Sequence, residues 1–228
     1  MKVAEAIVRI LEKEGITDAF GIPGAGINPV YQYLNSSKSI SHYTMRHEEA
    51  AVHAADGYFR ASGKLAAAIC TSGPGATNFV TGLYTADIDS IPLIALTGQN
   101  VTALLGKDAF QCVDIAAIAA PVCKKAWCVT DAASIPSVFA EAFHTARAGK
   151  PGPVLIDLPL DVQQTEIDFD IDSYSPLAVE PAEPDQQQIK KAVDLLQSAQ
   201  KPVMIMGGGA ILSEAEEACL KLAEFMKL

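Results

Sequence analysis

The stretch Leu65-Ala66-Ala67-Ala68-Ile69-Cys70-Thr71-Ser72-Gly73-Pro74-Gly75-Ala76-Thr77-Asn78 decides the fold. Apolar residues run from Leu65 to Cys70 without a polar alternate, and a turn of small residues follows at once. A strand that is apolar on both faces belongs in a parallel sheet covered by helices on each side. Pro74 suits the first turn of the next helix, which is expected to run to about residue 86. The turn is not a P-loop, because no Lys follows its glycines. Ser72 also lacks the flanking glycines of a nucleophile elbow.

Upstream, Val3, Ile7, Ile10 and Leu11 repeat at helical spacing, and Gly15 stops that helix. Residues 17–21 read as a strand, followed by the turn Ile22-Pro23-Gly24-Ala25-Gly26 and a helix over 28–34. Without a third correctly spaced Gly, this turn is not a dinucleotide fingerprint. Residues 40–44 alternate like a strand and lead through Met45-Arg46-His47 to Glu48 and Glu49, before a small-residue helix over 50–61. Acids at a helix start are favoured by the dipole alone. An acid at a helix start after a strand is also where α/β proteins put ligand chemistry. The residues by themselves leave both readings open.

Downstream, 90–97 reads as a strand, followed by a polar loop carrying Lys107-Asp108-Ala109-Phe110-Gln111. A short helix over 114–119, a strand over 122–129, a helix over 132–148 and a strand over 153–158 complete the block. The alternation predicts an α/β fold: a six-stranded parallel sheet sandwiched by helices, with its ligand site outside the carboxyl ends of the strands. The turns at 22–26, 46–49, 71–78 and 98–111 all fall at that edge.

Residues 1–165 are expected to form this domain. From residue 163 the composition shifts to Asp, Glu, Pro and Gln, and 166–186 reads as a linker over the surface. Residues 187–228 then read as the truncated start of a second α/β domain. They carry a helix over 187–197, a strand over 202–206, three glycines at 207–209, and a helix from Ser213 to the end with a Ser213/Glu216 capping box. One strand and two helices do not close a core in about 40 residues. The chain is therefore expected to be the front of a longer protein.

Seventeen Lys and Arg against 27 Asp and Glu give a net charge of −10 over 228 residues. That balance argues against nucleic acid, which calls for a basic stripe, and against anionic membrane surfaces. Five cysteines, odd in number and irregular in spacing, read as reduced thiols and hence a cytoplasmic protein. No metal-ligand spacing appears. The first helix is charged throughout, unlike a signal peptide, and no apolar run approaches bilayer length.

The ordered motifs GIPGAGINPVY (21–31), RHEEAAVHAADGYFRASG (46–63), TSGPGATNFVTGLYTA (71–86), DSIPLIALTGQ (89–99), DAFQCVDI (108–115), GKPGPVLIDLPLDV (149–162) and KPVMIMGGGAI (201–211) span the chain. They resemble the amino-terminal part of the acetolactate (acetohydroxyacid) synthase large subunits, within the thiamine-diphosphate-dependent enzymes. The resemblance implies a pyrimidine-binding first domain, a central domain that helps hold FAD in the acetolactate synthases, and a last domain for diphosphate and Mg2+. It implies a homodimer or tetramer with active sites between subunits, and leaves FAD and a regulatory small subunit open.

By the same resemblance Glu48 is the catalytic carboxyl group. Hydrogen-bonded to N1′ of the cofactor's pyrimidine, it favours the imino tautomer that removes the thiazolium C2 proton. Pyruvate is then decarboxylated, and the hydroxyethyl carbanion condenses with a second 2-oxoacid, in a branched-chain amino-acid or acetoin pathway. Pro74, Gly75 and Asn78 are implied to lie along the pyrimidine, and Gly24 and Ala25 near the reacting carbon. Phe110 and Gln111 match residues that line the substrate site from the partner subunit. Lys150 stands where an Arg contacts FAD, and lacks that residue's planar fork. His47 is expected to be structural.

Some positions depart from the acetolactate pattern: Ile22 replaces a Tyr, Ala25-Gly26 a Gly-Ala, and Leu160 a Lys. Several of these lean towards glyoxylate carboligase. That enzyme, however, carries an apolar residue where Glu48 stands. Pyruvate oxidase or decarboxylase is a further alternative within the family, and a non-catalytic dimerisation module one outside it. Without the diphosphate domain, the 228-residue chain alone is expected to be inactive.

Overall fold

The computed structural model describes residues 1–227. The chain divides into two compact units, Met1–Glu180 and Pro181–Leu228. The first opens with α1 (Val3–Lys13), β1 (Asp18–Gly21), α2 (Asn28–Leu34), β2 (Ser41–Thr44), α3 (Glu48–Ser62) and β3 (Ala67–Cys70). It continues with α4 (Pro74–Thr77), α5 (Phe79–Ile88), β4 (Ile94–Gln99), α6 (Ile115–Ala119), β5 (Lys125–Cys128), α7 (Ile135–Arg147), β6 (Val154–Pro159) and α8 (Leu160–Gln164). The six strands are all parallel, in the order β2-β1-β3-β4-β6-β5.

Side chains alternate across this sheet, so each strand feeds two cores. Ala67, Ile69, Ile94, Leu96, Val154, Ile156 and Leu158 face α1, α2 and α7. Ala66, Ala68, Cys70, Ala95 and Leu155 face α3, α5 and α6. The second face carries small side chains in its middle strands, which lets α3 and α5 lie close to the sheet. The two helices also lie close to each other. A Cβ added to Gly82 of α5 would sit 2.5 Å from the Val52 Cβ of α3.

The segment after α8 packs on this unit. Lys2 bridges to Glu166, and Ile167, Phe169 and Ile171 pack against the first core. Tyr174, itself buried, donates from its hydroxyl to Glu14 Oε1 at 2.6 Å. The alternating acids Asp168, Asp170 and Asp172 remain exposed.

The second unit holds α9 (Gln186–Ser198), α10 (Gly208–Leu212) and α11 (Glu216–Met226). Two local expectations fail here. Residues 202–206 form no strand: no neighbour among the described residues pairs with them, and Val203 and Ile205 are exposed. A strand needs a partner for its peptide groups. The Ser213/Glu216 capping box is also absent. The Ser213 hydroxyl instead donates back to Gly209 O at 2.7 Å, closing α10, and Glu214 turns the chain with φ +53° before α11. The helix expected from Ser213 thus starts only at Glu216, after a short helix over Gly208–Leu212 that the sequence does not predict, and its last expected residue, Leu228, lies outside the described residues.

Candidate functional site

The strand order explains where a ligand would sit. From β1 the chain crosses to β2 on one side, then returns to β3 on the other. That reversal opens a crevice at the carboxyl ends of β1 and β3. The 22–26 turn leaves β1 there, the 71–78 turn leaves β3, and the segment to Glu48 leaves β2.

These segments touch. Gly26 donates its N–H to Thr71 Oγ1 at 3.1 Å. A Cβ on Gly24 would lie 2.6 Å from Thr71 Cβ, so only a glycine lets the two turns meet. Thr71 also lies against Gly75, whose added Cβ would be 3.1 Å from Thr71 Cγ2 and 3.3 Å from Glu48 Oε1. Thr71 is thus a hub of the rim, although its motif neighbours drew the attention in the sequence.

Glu48 begins α3, two residues earlier than the small-residue run suggests. His47 is its N-cap, with Nδ1 accepting from Glu49 N at 3.3 Å. Glu48 Oε2 accepts from Asn78 Nδ2 at 2.9 Å, while Oε1 faces Gly75. Asn78 precedes α5, so the close α3–α5 crossing brings the two helix starts together. Beneath them Cys70 is buried, and burial, followed by the charges of Glu48 and Asp157, pushes its thiol well up. Glu49 stays at the surface between His47 and His53.

The fourth rim segment closes the other side. Gln111 adopts φ +54°, a strained conformation for a residue with a side chain. It packs on Gly73 (φ +60°), whose added Cβ would lie 2.6 Å from Gln111 Cβ. Asn100 Nδ2 donates to Phe110 O, and Gln99 Nε2 donates to Val113 O and to Asp157 Oδ2. The Phe110 ring projects 85% exposed.

Gly24, Ala25, Glu48, Pro74, Gly75, Asn78, Phe110 and Gln111 therefore share one edge of one chain. Lys150 does not join them. It precedes β6 at the amino edge of the sheet, where its Nζ donates to Asp87 O at 3.0 Å. Among the described residues no group of three His, Cys, Asp or Glu side chains is placed to hold a metal ion.

Gly24, Pro74 and Gly75 stand on this rim, with the Glu48 carboxyl group beside Gly75. Residues 1–118 match the family model of the thiamine pyrophosphate enzymes' N-terminal TPP binding domain. The chain belongs to the thiamine pyrophosphate enzyme family. Residues 189–228 match the central domain of the same family. The chain is 48% identical over 225 residues to a glyoxylate carboligase of Escherichia coli O157:H7, covering 98% of this chain and 38% of that protein. It is 46% identical over 231 residues to the acetolactate synthase large subunit of Corynebacterium glutamicum, covering 99% of this chain and 36% of the relative. It is 47% identical over 237 residues to a probable acetolactate synthase large subunit of Methanocaldococcus jannaschii, covering 100% and 39%. The chain thus spans well under half the length of these relatives. No helix among the described residues is long and apolar enough to cross a membrane.

Proposed function

We propose that this chain is the pyrimidine-binding part of a thiamine-diphosphate-dependent carboligase of the acetolactate synthase type. The observation that carries the reading is the Glu48 carboxyl group, held by Asn78 through one oxygen and facing Gly75 with the other. When bound, thiamine diphosphate supplies a nucleophilic carbon that adds to a 2-oxoacid carbonyl and accepts the charge left by departing carbon dioxide.

The residues of this chain have simpler tasks. Glu48 shares a proton with N1′ of the pyrimidine, and Asn78 keeps the carboxyl group aimed. Pro74 and Gly75 let the ring approach the backbone. Gly24 and Ala25 wall the substrate side, and Phe110 and Gln111 close it from the fourth segment. Diphosphate and Mg2+ would be held by a further domain of a partner subunit, in a homodimer or tetramer. For that reason the 228-residue chain alone is expected to form no product. Lys150 is left with at most a peripheral part in FAD binding, because it sits at the other edge of the sheet.

The likeness to a glyoxylate carboligase favours a second reading, in which glyoxylate is the substrate. Glu48 weighs against it, given the apolar residue expected at that position in such enzymes. The deciding experiment offers pyruvate, 2-ketobutyrate and glyoxylate in competition to the enzyme that carries this chain. Acetolactate as the main product supports the first reading. Ligation of two glyoxylate molecules with loss of carbon dioxide supports the second, and neither product sinks both.

A further inference from the structure

Gly26 is gripped by both polar groups of its backbone. Its N–H donates to Thr71 Oγ1 at 3.1 Å, and its carbonyl accepts from Gln163 Nε2 at 2.7 Å. The same Gln163 nitrogen donates to Leu158 O, also at 2.7 Å. Gln163 is wholly buried. Its amide orientation is set by these partners, because a flipped amide would press an oxygen against two carbonyl oxygens. The cost is visible: Gln163 Oε1 is buried without a hydrogen-bond partner. An apolar side chain of similar length would avoid that unpaired acceptor. What it could not do is hold the two carbonyls.

Among the described residues Gln163 is the side chain that donates to the Gly26 carbonyl. The Gly26 carbonyl lies directly over β4, where a Cβ on Gly98 would come 2.3 Å from the oxygen. The helix α8 also braces the fourth rim segment, since Asp161 accepts from Thr102 N at 3.0 Å. Glu48, by contrast, is set by α3 and Asn78, which α8 does not hold.

We propose that Gln163 is a positioning residue that fixes the height of the 22–26 turn, and with it Gly24 and Ala25, against the 2-oxoacid. The proposal rests on the reading of that turn as the substrate-side wall. It separates two tasks: Gln163 sets the substrate wall, while Glu48 and Asn78 activate the cofactor.

Hydrogen exchange of the wild-type and Gln163→Met chains, without substrate, tests the clamp. Amides of the 24–31 segment should exchange at least about tenfold faster, while those of β3 and β4 keep their rates. An unchanged turn, or equal acceleration everywhere, overturns the proposal. In the enzyme that carries this chain, Gln163→Met should lower kcat/KM for the 2-oxoacid roughly tenfold or more and leave C2 proton exchange of bound thiamine diphosphate within about twofold. Equal losses in both overturn it. Gln163→Glu adds a signature that a merely structural role would not produce. A neutral acid donates to one carbonyl and a carboxylate repels both, and burial raises such an acid to about 8–9, so its kcat/KM relative to wild type should fall between about pH 7 and about pH 10. A ratio flat with pH overturns the clamp. If the wild-type enzyme turns over no 2-oxoacid, the proposed reaction fails, and the exchange measurement alone decides whether Gln163 holds the turn.

Discussion

Asn78 donates to Glu48 across 30 residues of sequence, at 2.9 Å, from the start of one helix to the start of another. The bond joins the two strands' exits into one site. It also leaves Glu48 Oε1 to face Gly75, because Oε2 is engaged.

Replacing Glu48 removes the group, and replacing Asn78 removes its aim. Glu48→Gln is expected to slow C2 proton exchange of bound thiamine diphosphate by on the order of 100-fold or more, as loss of a general acid–base group does. Asn78→Ala leaves the carboxyl group in place but unheld, and a slower rate of roughly 10- to 100-fold is expected from misplacement. Proton exchange followed by NMR on the enzyme that carries this chain measures both. Equal effects of the two substitutions would show that Asn78 does more than aim Glu48.

The two helix starts meet because Gly82 lets α5 lie against Val52. A Gly82→Ala change has opposing effects. Alanine in a helix interior gains about 1 kcal/mol over glycine. Against that, the new Cβ would stand 2.5 Å from Val52 Cβ and 2.8 Å from its Cγ1. Neither Cβ can rotate away, and Val52 has one preferred rotamer in a helix. Overpacking should win, with a net loss of about 1–3 kcal/mol in urea unfolding. Val52→Ala should not rescue it, because the conflict begins at Cβ itself.

The parallel sheet and its rim were legible because apolar runs and small-residue turns are local signals. Ala66 to Cys70 says that both faces are covered before any partner is known. The split between Glu48 and Glu49 was not legible from periodicity, since both sit in the first turn of α3; the resemblance singles out Glu48, and in the structure the approach of Asn78 does so physically. Gln163 was hidden for another reason. It stands where the composition turns polar, and reads as the approach to a linker. Its burial depends on the 22–26 turn, 137 residues earlier. The 202–206 strand failed in the opposite sense: the pattern is there, but a pattern does not supply a neighbouring strand.

Asp157 offers a pH test. It is buried on β6, between β4 and β5, and burial pushes its carboxyl up from 3.8 to about 7, against the pull of hydrogen bonds from Thr97 and Gln99. The folded state therefore keeps a proton that the unfolded chain has lost between those values. The stability this group contributes is whole below pH 3.8, falls as pH rises through the window, and levels off above about 7. The total change is on the order of 4 kcal/mol at most. Asp157→Asn should flatten this slope. Its cost at pH 5 should be small, under about 1 kcal/mol, because the amide oxygen can accept from Gln99 while its nitrogen donates to the Thr97 hydroxyl. Urea midpoints across pH 5 to about 8 check this, and an unchanged slope in the variant would place the titration elsewhere.

Arg147 and Glu14 tie the ends of the first unit together. Arg147 Nη1 donates to Glu14 Oε2 at 2.7 Å, its Nη2 reaches Glu14 O, and Tyr174 donates to Glu14 Oε1. The Glu14 side chain is fully buried, whereas that of Arg147 is 28% exposed. Removing the cation leaves a buried carboxylate with only the tyrosine as donor. Arg147→Met is therefore expected to destabilise the chain by roughly 3 kcal/mol, at the lower end for a buried pair because Arg147 keeps some water. Tyr174→Phe removes a single hydrogen bond to a charged group and should cost about 1.5–3 kcal/mol. The double change Glu14→Gln with Arg147→Met should recover part of the loss, since no unpaired charge remains buried. Urea unfolding of Arg147→Met, Glu14→Gln and the double change, beside Tyr174→Phe, decides it: a double change as destabilised as the sum of its two singles would mean that Arg147 and Glu14 do not act as a pair.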